Sequence, residues 1–326
     1  MATRVLSAAD VQRALPMTAA VEACRAAFRA LAAGEVSAPP RVHLEEGLRT
    51  TLLMGASDAG GRIAKVVNIF PGNAARGLAT TTGVVMVIDG ETGHTTGLCD
   101  GGALTALRTG AVAGLATQLL ARPDARVGAV LGAGGQARTQ VHAMACVRPL
   151  EEIRVFARDR ARLERFVAAC DEEVEARVVA AASAAEAVRG ALVVSAATSA
   201  RSPVLDGDWL EAGAHVNGVG SFRLDMQELD RRTVARASRV VVDLRESALH
   251  EAGELVAGSR AGVTASSEWL ELGELLADPS AGRRGPQDVT LFKSVGHAVQ
   301  DLFAARAAVA AAEERGLGEV VEMGEA

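Results

Sequence analysis

Tyrosine is absent from this 326-residue chain and aromatic residues make up only 3% of it, so catalysis by a tyrosine acid is excluded. Cysteine is scarce as well. Cys24, Cys99, Cys146 and Cys170 are scattered, with no C-x-x-C pair, which suits reduced and mostly buried thiols rather than a disulfide framework. Neither these nor the six histidines fall at metal-ligand spacing, and no metal is expected. Hydrophobic residues reach 49%, yet no uninterrupted apolar run is long enough to cross a bilayer. Residues 1–16 carry acidic and polar side chains too early for a secretory segment. The expectation is a soluble cytoplasmic protein without a membrane partner. Positive charge is also in deficit: Lys and Arg total 34 against 40 Asp and Glu, a formal charge of −6, with no clustered basic stretch. Nucleic acid is therefore not expected as a partner.

What the chain does contain is a short apolar run, Val127–Leu131, followed by Gly132, Gly134 and Ala137 in a G-x-G-x-x-A turn and then by residues that suit a helix. The run reads as a buried parallel strand. The first glycine permits a tight strand-to-helix turn, the second lets backbone N–H groups approach a pyrophosphate, and the small third residue lets helix and strand pack closely. The phosphates then lie on the positive end of the helix. A dinucleotide site is the expectation; an ordinary glycine-rich turn is the alternative.

Around that stretch the length suffices for two domains. Residues 7–10 read as a helix start, 17–33 have helical composition, and Pro39-Pro40 imposes an extended segment carrying Arg41, Val42 and His43. Apolar stretches at 51–54, 63–69, 83–88 and 95–99, separated by glycine- and asparagine-rich breaks, predict an antiparallel sheet. A helix is predicted over 103–120, and Arg122-Pro123-Asp124 ends it. Strand and helix then alternate from 127 to 243, which indicates a doubly wound parallel sheet with helices on both faces. A last helix is expected over 296–315. His43, His94 and His215 are assigned no role.

Several segments, spread in order over nearly the whole chain, resemble the ornithine cyclodeaminase/mu-crystallin family. They are Pro40-Arg41, Lys65-Val66-Val67, Gly77 with Thr80, the run from Leu104 through Arg108 to Thr109, the glycine turn through Gln136 and Ala137, Val219-Gly220-Ser221, and Lys293-Ser294-Val295-Gly296. The family includes ornithine and lysine cyclodeaminases, alanine dehydrogenases of the archaeal type and ketimine reductases. The resemblance implies a Rossmann dinucleotide-binding domain over 122–295 and a discontinuous α+β domain, 1–121 with 296–326, that binds substrate and forms a homodimer. By position, Arg41, Lys65 and Arg108 match the residues that hold a substrate α-carboxylate, and Thr80, Gln136, Ala137, Thr198 and Val219 match cofactor-contacting residues, with Ser294 placed beside them. The chemistry is sound on its own terms. A guanidinium fork clamps a carboxylate through two bonds, and a partly desolvated lysine, here Lys65, can exchange a proton with an imine nitrogen. The plainer alternatives are a surface Arg41, a Lys65 facing water and an Arg108 solvated on its helix.

Two departures from the family pattern narrow the expectation. Where cyclodeaminases and alanine dehydrogenases carry an acid after the fifth Rossmann strand, this chain has Phe222 in Val219-Gly220-Ser221-Phe222, with Asp225 three residues on. Phenylalanine accepts no proton, so the variant resembles the branch that reduces cyclic ketimines such as Δ1-pyrroline-2-carboxylate, in which the imine is already formed. A cyclodeaminase or amino-acid dehydrogenase with Asp225 standing in, and a mu-crystallin-like binder of a small ligand, remain as alternatives. At the end of the second Rossmann strand, where NAD-preferring domains place an acid for the ribose 2′-OH, Ala157 is followed by Arg158. That favours NADPH, with Arg158 on its 2′-phosphate, while Asp159 keeps NADH open.

Overall fold

A computed structural model of the chain describes residues 2–322. Its elements run β1 (Ala2–Leu6), α1 (Ala8–Ala14), α2 (Met17–Ala32), β2 (Val42–Glu46), β3 (Arg49–Asp58), β4 (Gly61–Ile69), β5 (Thr81–Asp89), β6 (Thr95–Asp100) and α3 (Gly101–Leu120). They continue with β7 (Val127–Leu131), α4 (Gly135–Val147), β8 (Glu152–Phe156), α5 (Arg160–Asp171), β9 (Arg177–Ala180), α6 (Ala184–Val188), β10 (Val193–Ala196) and β11 (His215–Gly218). The last are α7 (Arg231–Arg236), β12 (Ala237–Val242), α8 (Arg245–Glu251), α9 (Gly253–Arg260), β13 (Leu270–Glu271), α10 (Leu272–Ala277), β14 (Val289–Lys293), α11 (Ala298–Glu314) and β15 (Glu319–Glu322). Two compact units divide the chain, Met1–Arg108 with His297–Ala326 and Thr109–Gly296, so the division falls inside α3. The sequence reading set its boundary at the end of that helix; residues 323–326 of the expected first domain lie outside the described residues.

Unit 1 is built on a sheet of order β15-β1-β6-β5-β4-β3-β2. Strands β3 to β6 form the expected antiparallel meander, and β2, expected only as an extended segment, adds to it on β3. The sheet is not wholly antiparallel, however: β1 joins β6 in parallel and β15 closes on β1. A five-residue terminal strand carries no pattern that specifies its partner, so this edge was not foreseen. Alternation sets the two faces. Along β4, Gly61, Ile63, Lys65 and Val67 are buried, and α11 crosses that face against β3, β4, β5 and β6 with α2 packed beside it. Alanines on α11 let the helix come close. On the opposite face, Val42, Leu53, Val66 and Val84 line up in register, with Val42 52%, Leu53 38% and Val84 40% exposed.

Unit 2 carries an all-parallel sheet of order β13-β12-β14-β11-β10-β7-β8-β9, a doubly wound Rossmann arrangement whose order reverses between β7 and β10. Apolar clusters lie on both faces, one around Val194, Val216, Leu291 and Trp269 and one around Val130, Met144, Ile153 and Val155. Strand β14, buried at all five residues, inserts between β11 and β12 although it follows β13 in the chain. No helix among the described residues is long and apolar enough to cross a membrane.

One polar chain runs through this core. His215 Nδ1 lies 2.9 Å from Thr290 Oγ1 and its Nε2 lies 3.1 Å from Asn217 Oδ1, while Asn217 Nδ2 donates to Thr117 Oγ1 at 2.9 Å and Ser195 Oγ at 3.3 Å. Burial, with Arg283 nearby, pushes the imidazole from its ordinary 6.5 down to about 3. In the unfolded chain the ring takes a proton below about 6.5, whereas the folded ring stays neutral until about 3. Its stabilisation is therefore complete above that upper value and is lost as pH falls through the window. Denaturant melts between pH 7 and pH 5 are expected to show wild type losing up to about 1.4 kcal/mol per pH unit more than His215→Gln. Parallel pH slopes would contradict this account.

Candidate active site

In unit 1 two of the three cations predicted to hold a carboxylate, Lys65 and Arg108, are drawn inward instead of into solvent. Lys65 points to the covered face of β4 because it shares parity with Ile63 and Val67, and its side chain is 0% exposed. Its Nζ lies 2.7 Å from Asp301 Oδ1 on α11. Arg108, from the first half of α3, brings Nε to 3.2 Å from the same oxygen and donates through Nη1 to Gln300 Oε1 at 2.8 Å. Asp301 Oδ2 and Gln300 Nε2 are buried without a hydrogen-bond partner. Arg41, half-buried just before β2, lies near enough for its charge to act on Lys65. Two of the three predicted cations thus meet at one carboxylate, and the charge of the third, Arg41, reaches Lys65.

The electrostatics follow. Burial drives Lys65 from 10.5 down to about 8; Asp301 opposes that through its charge and hydrogen bond, and Arg108 and Arg41 add to it. For Asp301, burial favours the neutral acid, but the charges of Lys65 and Arg108 and their bonds outweigh it and hold the carboxyl below its usual range. Sequence reasoning missed Asp301 and Gln300. The available signal was a Gln-Asp pair in the first turn of an alanine-rich helix.

In unit 2 the glycine turn has the features a pyrophosphate needs. Gly132 has φ +122°, and a Cβ there would meet Ala197 O at 2.5 Å, so only glycine fits. Gly134 is the N-cap of the 13-residue α4 with no side-chain bond to the helix end, and a Cβ at Gly135 would meet nothing within 4 Å. The first N–H groups of α4 are therefore left for an anion. Ala137 is fully buried against the sheet, and Gln136 Oε1 is a buried acceptor without a partner. These residues fit a dinucleotide. Thr198 follows β10, Val219 follows β11 and Ser294 follows β14, all at the carboxyl ends of strands where doubly wound folds bind ligands. Thr80, exposed in the loop before β5, belongs to unit 1.

Near the end of β8, Arg158 and Asp159 are both exposed, and Asp159 caps α5 by accepting from the Arg162 N–H at 3.0 Å. Arg160 pairs with Glu164 at 2.8 Å. Phe222 is partly buried after β11, whereas Asp225 is exposed and pairs with Arg223 at 3.1 Å and Arg201 at 3.5 Å. Below these loops lies a buried polar group, in which Lys293 of the family-like motif joins three acids that the sequence did not announce: Glu228, Asp243 and Glu254. Among the described residues no group of three or more His, Cys, Asp or Glu side chains is placed to hold a metal.

Known proteins resemble this chain along nearly its whole length. Delta(1)-pyrroline-2-carboxylate reductase of Bacillus cereus is 35% identical over 323 residues, covering 98% of this chain and 99% of the relative. The structure of Thermococcus litoralis Delta(1)-pyrroline-2-carboxylate reductase in complex with NADH and L-proline superposes with a TM-score of 0.93 at 33% identity, covering 97% of this chain and 99% of that one. An archaeal alanine dehydrogenase dimer with bound NAD gives a TM-score of 0.90 at 31% identity, covering 99% of each chain. The model of the ornithine cyclodeaminase/mu-crystallin family matches residues 1–315, and the chain belongs to that family.

Proposed function

We propose that this chain, an NAD(P)H-dependent oxidoreductase of that family, reduces the preformed cyclic ketimine Δ1-pyrroline-2-carboxylate to L-proline, and with a larger ring Δ1-piperideine-2-carboxylate to L-pipecolate. The observation that carries this reading is Phe222. No acid stands where cyclisation and ammonia release require one, and Asp225 is exposed and engaged by two arginines instead of replacing it. The reductase relatives support the same reading.

In this account Arg41 and Arg108 hold the ring carboxylate and Lys65 adds charge to it. The imine nitrogen must carry a proton before C2 accepts a hydride. Lys65, with its pKa lowered to about 8, is protonated at neutral pH and close enough to titration to share that proton. The dihydronicotinamide supplies the hydride, so that the C=N bond becomes CH–NH. Gly132, Gly134, Gln136 and Ala137 would hold the pyrophosphate half, and Thr198, Val219, Thr80 and Ser294 the remainder. NADPH is the proposed donor: Ala157 removes the repulsion a 2′-phosphate would meet, Arg158 is available to it, and Asp159 already caps a helix. The NADH bound to the Thermococcus reductase favours NADH as the second reading.

The proposed assembly is a homodimer in which a second copy covers the apolar row Val42, Leu53, Val66 and Val84; the dimeric alanine dehydrogenase supports it. Light scattering of the purified protein is expected to give twice the chain mass of 33.5 kDa, and a stable monomer at micromolar concentration would refute it.

Initial rates of NADPH and NADH oxidation with Δ1-pyrroline-2-carboxylate, measured from pH 6 to pH 10, test the catalytic proposal. NADPH oxidation should be the faster, and kcat/KM should fall above about pH 8 as Lys65 loses its proton. In Asp301→Asn the lysine loses the partner that keeps it charged, and the fall should begin at lower pH. A preference for NADH would overturn the cofactor alone. A profile flat from pH 6 to pH 10 would remove Lys65 from the proton transfer, and tight NADPH binding with no turnover across an imine panel would point to a ligand-binding protein.

A further inference from the structure

Sheet order tells the two halves of the nucleotide crevice apart. Beyond the reversal between β7 and β10, strands β8 and β9 lie on one side and β10, β11, β14, β12 and β13 on the other. In doubly wound sheets each half takes one mononucleotide, and the residue that meets the adenosine ribose follows the second strand, here β8. The nicotinamide half is therefore the β10 side. The loops leaving β10, β11 and β14 on that side are each tied to a buried carboxylate.

Glu228, fully buried, accepts from Thr198 N at 2.5 Å, Thr198 Oγ1 at 2.9 Å, Gly220 N at 2.6 Å and Ser221 N at 3.0 Å. Asp243, 1% exposed, accepts from Ser294 Oγ at 2.9 Å, Val295 N at 2.9 Å and Gly296 N at 2.7 Å. The hydroxyls of Thr198 and Ser294, both expected at the cofactor, are thus engaged in holding their own loops. The approach at Glu228 is close enough that a Cβ on Gly220 would lie 2.6 Å from its Oε1.

The charge at these loops is not balanced. Lys293, also fully buried, pairs with Glu254 at 3.2 Å and donates to Ser221 O and Oγ at 2.6 Å each. That lysine pairs directly with Glu254 and acts on Glu228 through its charge. Glu228 and Asp243 form no ion pair among the described residues, and every hydrogen-bond partner named for them above is a donor. Burial pushes the Glu228 carboxyl above its usual range, Glu254 adds to the rise, and Lys293 and the bonds from Thr198 oppose it. One lysine thus stands among three buried carboxyls, two of them held by donors alone.

We propose that Glu228 and Asp243 are positioning residues of the nicotinamide half whose charge favours the oxidised, positively charged ring over the reduced, neutral one. Hydride departure places one positive charge on the ring, and fixed negative charges already in place stabilise it as it develops. The proposal rests on the nicotinamide-cofactor part of the reading above and is independent of which imine is reduced.

The test is calorimetric titration of the purified, substrate-free protein with NADPH and NADP+ separately, or with the NADH pair if that binds more tightly, taking the ratio of the oxidised to the reduced Kd. In Glu228→Gln and in Asp243→Asn this ratio should rise on the order of fivefold to tenfold, the effect of removing one charge at the effective dielectric of a protein site. Glu228→Asp keeps the charge and should keep the wild-type ratio even where both affinities weaken. Lys293→Met removes the cation, so its ratio should move the opposite way, and this variant carries the test if the carboxylate variants do not fold. A purely structural role weakens both forms equally; ratios within about twofold of wild type in all folded variants would overturn the proposal. Failure of the wild-type protein to bind either form would overturn it together with the nicotinamide reading.

Discussion

One carboxylate oxygen holds the interior of unit 1 in its charged state. Asp301 Oδ1 meets both the ammonium of Lys65 and the guanidinium of Arg108, and all three side chains are at most 7% exposed. Withdrawing two cations from water costs several kcal/mol per ion, and stripping a partner from a buried pair costs about 3–5 kcal/mol. The arrangement survives because α11 lies across the sheet and brings the acid to β4 and α3 together. Structure and chemistry therefore share a constraint: the contact that closes the first unit also fixes two of the three cations proposed for the substrate and keeps Lys65 charged against the burial that lowers its pKa to about 8.

Unit 2 solves a related problem differently. Its buried acids Glu228 and Asp243 are satisfied by backbone N–H groups and hydroxyls instead of cations. Neutral donors stabilise a carboxylate without cancelling its charge. The strand-end loops are held in place by these bonds. On the other side of the reversal, the anion site is made of backbone alone, from Gly132 to the uncapped start of α4. One sheet thus offers backbone donors after β7 and buried carboxyls behind the loops after β10, β11 and β14, the pairing on which the proposed pyrophosphate and nicotinamide halves rest.

How far these features could be read from the sequence depends on the range of the interactions behind them. Gly132, Gly134 and Ala137 were legible because a steric requirement acts over six residues. The meander β3 to β6 was legible from its apolar stretches and the turn residues between them. Lys65 and Arg108 came from family resemblance, but their burial did not, since a lone charge in an apolar strand reads equally well as facing water. Their partner lies 236 residues from Lys65 and 193 from Arg108, and no local pattern encodes such a pairing. The place of β14 was hidden because its neighbours in the sheet are not its neighbours in the chain. Glu228 sits in an irregular loop without periodicity, and its four donors converge only after folding. Phe222 and Ala157 could be noticed only against a family pattern, since each is defined by the acid it replaces.

The central claim is that hydride is delivered to an imine that arrives already formed. The most direct measurement follows the label: the protein is incubated with Δ1-pyrroline-2-carboxylate and a dihydronicotinamide cofactor deuterated at both C4 positions, and the product is read by mass spectrometry and NMR. The account predicts L-proline carrying one deuterium, at C2. Ammonia release from L-ornithine outpacing imine reduction, or proline formed without the label, would contradict it.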